Sequence, residues 1–208
     1  MSNLPSPDDV ALFGGSFNPP HICHALASLW VLQTQAVDEI WWVPTYQHAF
    51  DKQLVDFHHR VEMCQQSIAD VQRTRLSTIE RDLGGESRTI DTVRALRKRH
   101  PSTRFWLVIG TDILDEFTEW KDWRTLLDEV PLIVVGRRGY DEERQQLFEA
   151  DRDLEDAVKW NLELPDISST DVRQGLIDGQ YDAVSAWIAR PVLDYIAEHR
   201  LYYPTDGS

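Results

Sequence analysis

The sequence has 208 residues, of which 42% are hydrophobic and 27% are charged, and 35 acidic against 21 basic side chains give it a formal net charge of -14. These values are typical of a soluble globular chain and exclude collagen-like, low-complexity and intrinsically disordered classes. The acidic excess also argues against broad binding to nucleic acid or to an anionic membrane, because both partners require a basic face.

Nothing in the sequence indicates export or membrane insertion. No apolar run approaches the ~20 residues that a membrane-spanning helix needs, and the stretch Met1–Asp9 lacks the basic and apolar regions of a signal peptide. Cys23 and Cys64 are the only cysteines, too few for a disulfide framework. We therefore expect a cytoplasmic protein, with one domain over residues 1–208 and loose tails at about 1–8 and 204–208.

Short apolar runs alternate with amphipathic stretches along the chain. Strands are predicted at Val10–Phe13, Glu39–Pro44, Thr74–Glu80, Arg104–Ile109, Leu132–Val135 and Lys159–Leu164. Helices are predicted at His24–Gln35, His58–Ala69, Thr89–Arg99, Ile113–Leu127, Asp141–Asp156, Thr170–Asp178 and Pro191–His199. The runs Leu107–Ile109 and Leu132–Val135 are apolar on both faces, which is typical of a parallel sheet covered by helices. The pattern predicts an α/β fold, a Rossmann-like doubly wound parallel sheet with C-terminal helices.

The predicted sheet indicates where a ligand should bind. In doubly wound sheets, ligands occupy the crevice beyond the carboxyl ends of the strands, where the strand order reverses. The loops that follow Phe13, Pro44, Ile109 and Leu164 should therefore share one crevice, and the chemistry should lie in these four loops.

The first of these loops, residues 14–24, reads Gly-Gly-Ser-Phe-Asn-Pro-Pro-His-Ile-Cys-His. Its two glycines let the backbone approach a ligand closely and adopt positive φ, and His21 and His24 share one face of the next helix's first turn. A helix N-terminus already favours an anion. We therefore favour a phosphate site over a bare glycine turn or a zinc site, since zinc needs further ligands and no matching Cys or His partner is visible.

The loop pattern GGSFNPPHxxH resembles the signature of the nucleotidylyltransferase superfamily, and in particular of its bacterial nicotinate-nucleotide adenylyltransferases. Softer matches extend the resemblance over about residues 10–203. The resemblance implies that ATP is bound by Gly14, Gly15, Ser16, Phe17, His21 and His24. It also implies that Asn18 contacts the acceptor mononucleotide.

A second motif follows the last predicted strand and begins a helix. Ser168 and Asp171 have the spacing of a capping box, with Asp in place of Glu. Ser169, Thr170 and Arg173 would then face an anion at the helix start, although a well-capped surface helix shows the same pattern. The segment also resembles the family's Ile-Ser-Ser-Thr-x-x-Arg signature, which implies that it holds the β- and γ-phosphates of ATP.

The resemblance also implies an acceptor site. Asp112, just past a strand, would lie near the nucleotide, and Trp120 would stack on the pyridine ring, where a cationic ring is attracted to the indole face. We assign Trp123 to the core. Thr89 would contact the nicotinate carboxylate, whereas Arg88 replaces the family's usual tyrosine and either reads that carboxylate or points to solvent.

The loop Val43–Lys52 is a looser match, because the family's adjacent His-Lys pair is separated here into His48 and Lys52. Lys52 is either a further phosphate ligand of ATP or a solvated surface lysine. Cys23 stands where the family usually has glycine, and we interpret it as a small packing residue. We assign no function to the acidic stretch Asp141–Asp156.

The implied reaction is adenylyl transfer from ATP to nicotinate mononucleotide, which gives deamido-NAD and pyrophosphate in NAD biosynthesis. His21, His24 and Arg173 would be the catalytic residues, and Mg²⁺ would bridge the phosphates of ATP without a protein metal site. Two alternatives stay open: nicotinamide mononucleotide or another phosphate acceptor as substrate, and a non-catalytic nucleotide-binding sensor. Neither nucleic acid nor a membrane is an expected partner, and the oligomeric state is left open.

Overall fold

The centre of the fold is a parallel β-sheet. In the computed structural model, which describes residues 7–47, 54–136 and 164–203, the strands are β1 (Asp9–Gly15), β2 (Glu39–Pro44), β3 (Thr74–Leu76), β4 (Arg104–Gly110) and β5 (Leu132–Val135). Their order across the sheet is β3-β2-β1-β4-β5, and every pairing is parallel. The strand order reverses between β1 and β4. The predicted Rossmann-like doubly wound sheet is confirmed.

Helices follow or precede each strand. They are α1 (Ile22–Thr34), α2 (Phe57–Ile68), α3 (Ile79–Leu83), α4 (Thr89–Arg99), α5 (Leu114–Phe117), α6 (Trp123–Glu129), α7 (Ser169–Ile177), α8 (Tyr181–Val184) and α9 (Arg190–Glu198), with a 3-10 turn at Thr111–Ile113. Pro191 lies in the first turn of α9, where its missing N–H costs no helical hydrogen bond. No helix in these three ranges has the length and apolar character needed to cross a membrane.

The core lies on both faces of the sheet, because successive side chains of each strand point to opposite sides. On β1, Val10 and Leu12 pack toward α4, whose Val93 belongs to the same buried cluster. Ala11 points the other way and packs with Val31 of α1. A third cluster joins α2 to the C-terminal helices α7 and α9. Helix α9 therefore packs on α2 rather than on the sheet itself, and α8 packs on α7.

Two predicted elements differ in extent from the observed ones. The predicted strand Thr74–Glu80 ends at Leu76, because β3 pairs with β2 alone and the chain then turns Ile79 into the core at the start of α3. The predicted helix Ile113–Leu127 is broken into a 3-10 turn, α5 and α6. The break ends at Asp122, which has φ of +52°, a left-handed conformation that Asp tolerates better than most residues. The short helices α3 and α8 were not predicted.

Some predictions fall on residues outside the described ranges. They are the helix Asp141–Asp156, the strand Lys159–Leu164 except for Leu164 itself, and the C-terminal tail. At the amino end, the Arg104 N–H donates to the carbonyl of Asp8 at 2.7 Å, so the described chain is already attached to β4 there. The single domain over residues 1–208 stays a prediction.

Candidate active site

A cleft of about 330 Å³ lies at the carboxyl ends of the strands, a size typical of small-molecule sites. Its walls include residues 14–16 after β1, Thr45 after β2, Gly110 at the end of β4, and Leu164. Three of the four loops expected to share a crevice therefore line it, and Leu164, the residue before the fourth loop, lines it as well. The cleft also receives side chains from α1, α4 and the segment around Trp120.

The two glycines of the first loop continue β1 rather than form a left-handed turn. Gly14 pairs with Val43 and Gly15 with Pro44 in the register of the sheet. The prediction of positive φ at these glycines is wrong, because strand pairing keeps them extended; Phe17 has the left-handed φ instead, at +46°. A Cβ on Gly15 would lie 3.3 Å from the Phe17 ring, whereas a Cβ on Gly14 would meet no atom within 4 Å. Gly15 therefore makes room for Phe17, and Gly14 leaves open space on the cleft.

His21 and His24 are adjacent at the start of α1 and both line the cleft. His21 is the N-cap residue, and the two ring centroids are 3.9 Å apart. The His21 backbone N–H donates to Nδ1 of His24 at 3.1 Å. A neutral His24 must therefore carry its proton on Nε2, which makes Nε2 a hydrogen-bond donor. This is the group that a phosphate oxygen requires.

Three aromatic rings pack against the ring of His24. Its ring centroid lies 4.9 Å from that of Phe17, 5.8 Å from that of Phe13 and 5.9 Å from that of Trp42. Phe17 is only 1% exposed and stacks on Trp42 at 4.7 Å, with an angle of 5° between the planes. The side chain of Phe17, expected to contact ATP, does not line the cleft and instead supports the histidine that does.

The side chain of Asn18 also points away from the cleft. Its Oδ1 accepts hydrogen bonds from the Tyr202 hydroxyl at 2.8 Å and from the Val55 N–H at 3.2 Å. Its backbone carbonyl accepts one from Nη1 of Arg173 at 2.7 Å. Asn18 was expected to touch the acceptor mononucleotide, but its buried side chain joins the first loop to the C-terminal segment and to the chain before α2.

The predicted capping box at α7 is confirmed. The Asp171 N–H donates to Oγ of Ser168 at 3.2 Å, and the Ser168 N–H donates to Oδ2 of Asp171 at 2.9 Å. The Ser168 hydroxyl bond is the main cause that lowers the pKa of the Asp171 carboxyl. Reciprocal capping fixes the position at which α7 begins.

The start of α7 is hydrogen bonded to the first loop. The Ser169 hydroxyl donates to the carbonyl of Pro19 at 2.9 Å. Arg173 donates through Nη1 to the carbonyl of Asn18 and through Nη2 to Oγ1 of Thr170 at 3.1 Å. The fold therefore brings the two signature segments together. Ser169, Thr170 and Arg173 are not among the residues that line the cleft; Ser169 and Arg173 contact carbonyl groups of the first loop.

The predicted acceptor residues lie on the opposite wall. Arg88 is the N-cap of α4 and Thr89 is its first residue, and both line the cleft. Nη2 of Arg88 is 2.6 Å from Oε2 of Glu86, so that its charge is already paired. Trp120 lines the cleft and rests on Phe117, with 5.2 Å between ring centroids.

The other predicted side chains are placed as follows. Trp123 packs against the edge of the core, and the guanidinium of Arg124 lies 4.2 Å from its ring centroid. Cys23 is buried and its thiol donates to the carbonyl of Pro165 at 3.4 Å. The backbone of Asp112 forms part of the 3-10 turn after β4. Lys52 lies outside the described residues.

Arg60 was missed in the sequence. It is buried in α2 and donates to the carbonyls of Ser16 at 2.9 Å, Thr45 at 2.7 Å and Tyr46 at 3.3 Å. A further bond from Nε reaches the carbonyl of Val55 at 2.9 Å. Burial lowers the pKa of Arg60, but an arginine keeps its charge in proteins. This cation holds the loops after β1 and β2 in place through their carbonyl groups.

Glu80 was also missed. It is 9% exposed, lies on the cleft wall, and accepts hydrogen bonds from the Tyr46 N–H at 3.0 Å and the Thr92 hydroxyl at 3.1 Å. Burial raises the pKa of its carboxyl, while hydrogen bonds from Ser87, Tyr46 and Thr92 and the charge of Arg60 oppose that rise. Local sequence offered one signal, an acidic residue at the end of the segment Thr74–Glu80, which was interpreted as a strand.

No group of three or more His, Cys, Asp or Glu side chains is arranged to hold a metal ion among the residues that the structure describes. The cleft wall instead offers imidazole and hydroxyl donors and backbone amides. Donors of this kind suit anionic ligands, because they are what phosphate and carboxylate oxygens accept from.

Comparisons with known proteins identify similar chains. The family model described as Cytidylyltransferase-like matches residues 12–175. Proteins named probable nicotinate-nucleotide adenylyltransferase are 36% identical over 197 residues in Anaeromyxobacter dehalogenans (93% of this chain, 96% of that protein) and 38% identical over 194 residues in Myxococcus xanthus (93% and 94%). The solved structure of Plasmodium falciparum nicotinic acid mononucleotide adenylyltransferase, complexed with NaAD, has a TM-score of 0.77 at 22% identity and covers 94% of this chain and 97% of that one.

Proposed function

The chain belongs to the cytidylyltransferase-like family, among its nicotinate-nucleotide adenylyltransferases, and we propose that it transfers the adenylyl group of ATP to nicotinate mononucleotide, giving deamido-NAD and pyrophosphate. One observation carries the proposal: a pair of histidines suited to phosphate and a helix start suited to a carboxylate line one cleft, on helices that pack against opposite faces of the sheet. If one anionic substrate bound at the histidines and the other at the start of α4, their reacting groups would meet inside the cleft.

The reaction requires alignment more than proton transfer. An oxygen of the mononucleotide phosphate bonds to the α-phosphorus of ATP, and the bond from that phosphorus to the bridging oxygen of pyrophosphate breaks. The attacking phosphate is already ionised at pH 7, so that no protein nucleophile and no strong general base is needed. Catalysis then consists of holding the groups in line and stabilising the charge that develops.

We assign the ATP phosphates to the first loop. His24 donates from Nε2 to the transferring phosphate, and His21, beside it, stabilises the same oxygens. The backbone of residues 14–16 approaches the nucleotide over the open side of Gly14. Phe17 supports His24 through ring contact rather than touching ATP.

The departing pyrophosphate is assigned to the start of α7, through Ser169, Thr170 and Arg173. Two of the five guanidinium N–H donors of Arg173 are used in the bonds to Asn18 and Thr170. The others are left for phosphate, as is the N-terminus of α7. Lys52 stays a predicted further ligand.

The acceptor is assigned to the opposite wall. Thr89 and the first amides of α4 hold the nicotinate carboxylate, Trp120 stacks on the pyridine ring, and Asp112 follows β4 where the ribose would lie. Asn18 acts indirectly, by fixing the first loop. Mg²⁺ would enter with ATP as part of the substrate and would stabilise the charge on its phosphate oxygens.

The test is a comparison of acceptors. The purified protein is incubated with ATP and Mg²⁺ and either nicotinate or nicotinamide mononucleotide, and pyrophosphate and dinucleotide are quantified together to give kcat/KM for each. We expect a large preference for the acid. A preference for the amide would keep the mechanism and overturn the acceptor, whereas ATP binding without pyrophosphate release from either would indicate a sensor.

A further inference from the structure

Glu80 connects the two walls that form the acceptor side of the cleft. Its carboxylate accepts the Tyr46 N–H, from the loop after β2, and the Thr92 hydroxyl, from the second turn of α4. Ser87, which precedes α4, is joined to Glu80 through Tyr46, whose N–H lies 3.0 Å from both the Glu80 carboxylate and the Ser87 hydroxyl. Three separate points of the chain therefore meet around one buried acid.

These hydrogen bonds lie close to Arg88 and Thr89, the proposed acceptor residues. Ser87 lies just before Arg88 and Thr89, and Thr92 lies one helical turn after Thr89, so that Glu80 is linked to the chain on both sides of the pair. The Ser87 N–H also donates to the carbonyl of Gln47 at 2.9 Å, and its hydroxyl accepts the Tyr46 N–H at 3.0 Å. The start of α4 is thus fastened to the loop after β2 around Glu80.

The same network reaches the ATP side. Arg60 binds the carbonyls of Thr45 and Tyr46 from one direction, while Glu80 binds the Tyr46 N–H from the other. Arg60 also binds the carbonyl of Ser16 in the first loop. The loop after β2 is therefore held between a buried cation on the donor side and a buried anion on the acceptor side.

We propose that Glu80 is a positioning residue for the acceptor nucleotide, which fixes the start of α4 at the distance from the first loop that in-line attack requires. This inference rests on the proposed function. Each of its carboxylate oxygens accepts a hydrogen bond from within the protein, and we assign Glu80 a role that it exerts through Thr89 and the first amides of α4 rather than by contact with the substrate. Misplacing such a segment by about 1 Å is enough to slow an aligned reaction by about a hundredfold.

The test uses Glu80→Gln, which keeps the size of the side chain but turns an amide NH₂ toward donors that need an acceptor. We expect the KM for nicotinate mononucleotide to rise about tenfold, the value for one lost charge-assisted hydrogen bond. The KM for ATP should stay within about twofold, because the histidine loop is held by Arg60 and Asn18 instead. An equal rise in both KM values would overturn the proposal, since it would indicate general loosening of the cleft.

Two milder variants keep the test decisive if Glu80→Gln fails to fold. Thr92→Val removes one donor with no change of shape and should raise the acceptor KM in the same direction, and Thr92→Ser, which keeps the hydroxyl, should restore it. An unchanged KM in Thr92→Val would overturn the proposal. Glu116→Gln removes a negative charge from the same cleft wall; if it shifts the acceptor KM as much as Glu80→Gln does, charge rather than position is the cause.

Direct binding separates this inference from the proposed function. Calorimetric titration of nicotinate mononucleotide should give a Kd about tenfold weaker for Glu80→Gln than for the unaltered protein, whether or not turnover occurs. If the unaltered protein binds the mononucleotide but forms no dinucleotide, the proposed function fails and the Kd comparison still decides the role of Glu80. A protein that binds no acceptor would overturn both.

Discussion

The hydroxyl of Tyr202 donates a 2.8 Å hydrogen bond to Oδ1 of Asn18, joining the end of the described chain to the loop that carries His21 and His24. Tyr202 is partly buried, and desolvation raises the pKa of its phenol, so the hydroxyl stays protonated as a donor across the physiological range. The C-terminal segment is therefore part of the support of the proposed ATP site.

Replacing Tyr202 with Phe removes this bond and leaves the ring in place. We expect the free energy of unfolding to fall by about 1 kcal/mol, the usual value of a buried hydrogen bond, and the KM for ATP to rise. Urea unfolding and initial-rate kinetics measure the two effects. Tyr203→Phe is the matched control, because the ring of Tyr203 contacts Tyr181 of α8; an equal rise in the KM for ATP from both changes would contradict the link to Asn18.

His24→Ala should reduce kcat by about a hundredfold or more while the protein stays folded, because a donor aimed at the transferring phosphate stabilises charge that develops in the transition state. Initial rates of pyrophosphate release and circular dichroism make the comparison. His100→Ala serves as the control, since His100 ends α4 and packs on Trp41. Near-normal turnover in His24→Ala would refute the proposed role.

Arg88 and Glu86 offer a test of acid against amide selection. Because Glu86 neutralises Arg88 at 2.6 Å, Glu86→Gln should free the guanidinium and raise the ratio of kcat/KM for nicotinate over nicotinamide mononucleotide severalfold. Arg88→Tyr should lower the same ratio. If the ratio is unchanged in both variants, Arg88 does not read the nicotinate carboxylate.

His59, in α2, and its neighbours His58 and His199 lead us to expect that the protein is less stable in acid. Burial is the main cause that lowers the pKa of His59, and the charges of His58 and His199 lower it further, whereas Asp56 raises it. Nδ1 of His59 is 2.8 Å from the Tyr195 hydroxyl. The folded pKa is below the unfolded one, so the unfolded chain takes up the proton first. Stability should therefore be full above pH ~6.5 and fall as pH decreases toward the folded pKa.

Urea unfolding at several values between pH ~7.5 and ~5 measures this slope, which for one proton is at most about 1.4 kcal/mol per pH unit. His59→Gln should flatten it, whereas His100→Gln, at the far end of α4, should not. A slope that is the same in His59→Gln and in the unaltered protein would assign the effect to other groups.

Sequence reasoning succeeded where the signal is local. The capping box of Ser168 and Asp171 depends on residues three apart, and the strand cores depend on short apolar runs, so both were predicted and confirmed. The shared crevice follows from a parallel sheet, in which all carboxyl ends lie on one edge.

It failed where the partner is distant. Arg60 looks like any polar residue on an amphipathic helix, and nothing near it in sequence indicates that Ser16, 44 positions earlier, supplies a carbonyl. The hydrogen bond from Tyr202 to Asn18, 184 positions earlier, was likewise not predicted, because no local pattern indicates it. The glycine pair was assigned a positive φ because the extent of strand pairing depends on β2 as well as on the loop itself.

The carbonyl contacts of Arg60 bear on how such an enzyme can be redesigned. Loops at the edge of a parallel sheet are commonly treated as exchangeable parts, replaced one at a time to obtain a new specificity. Here a single guanidinium serves carbonyls of the loops after β1 and β2 together. A graft that lengthens either loop would leave the buried charge of Arg60 without its carbonyl partners. The two loops must therefore be exchanged as a pair, or Arg60 must be replaced along with them.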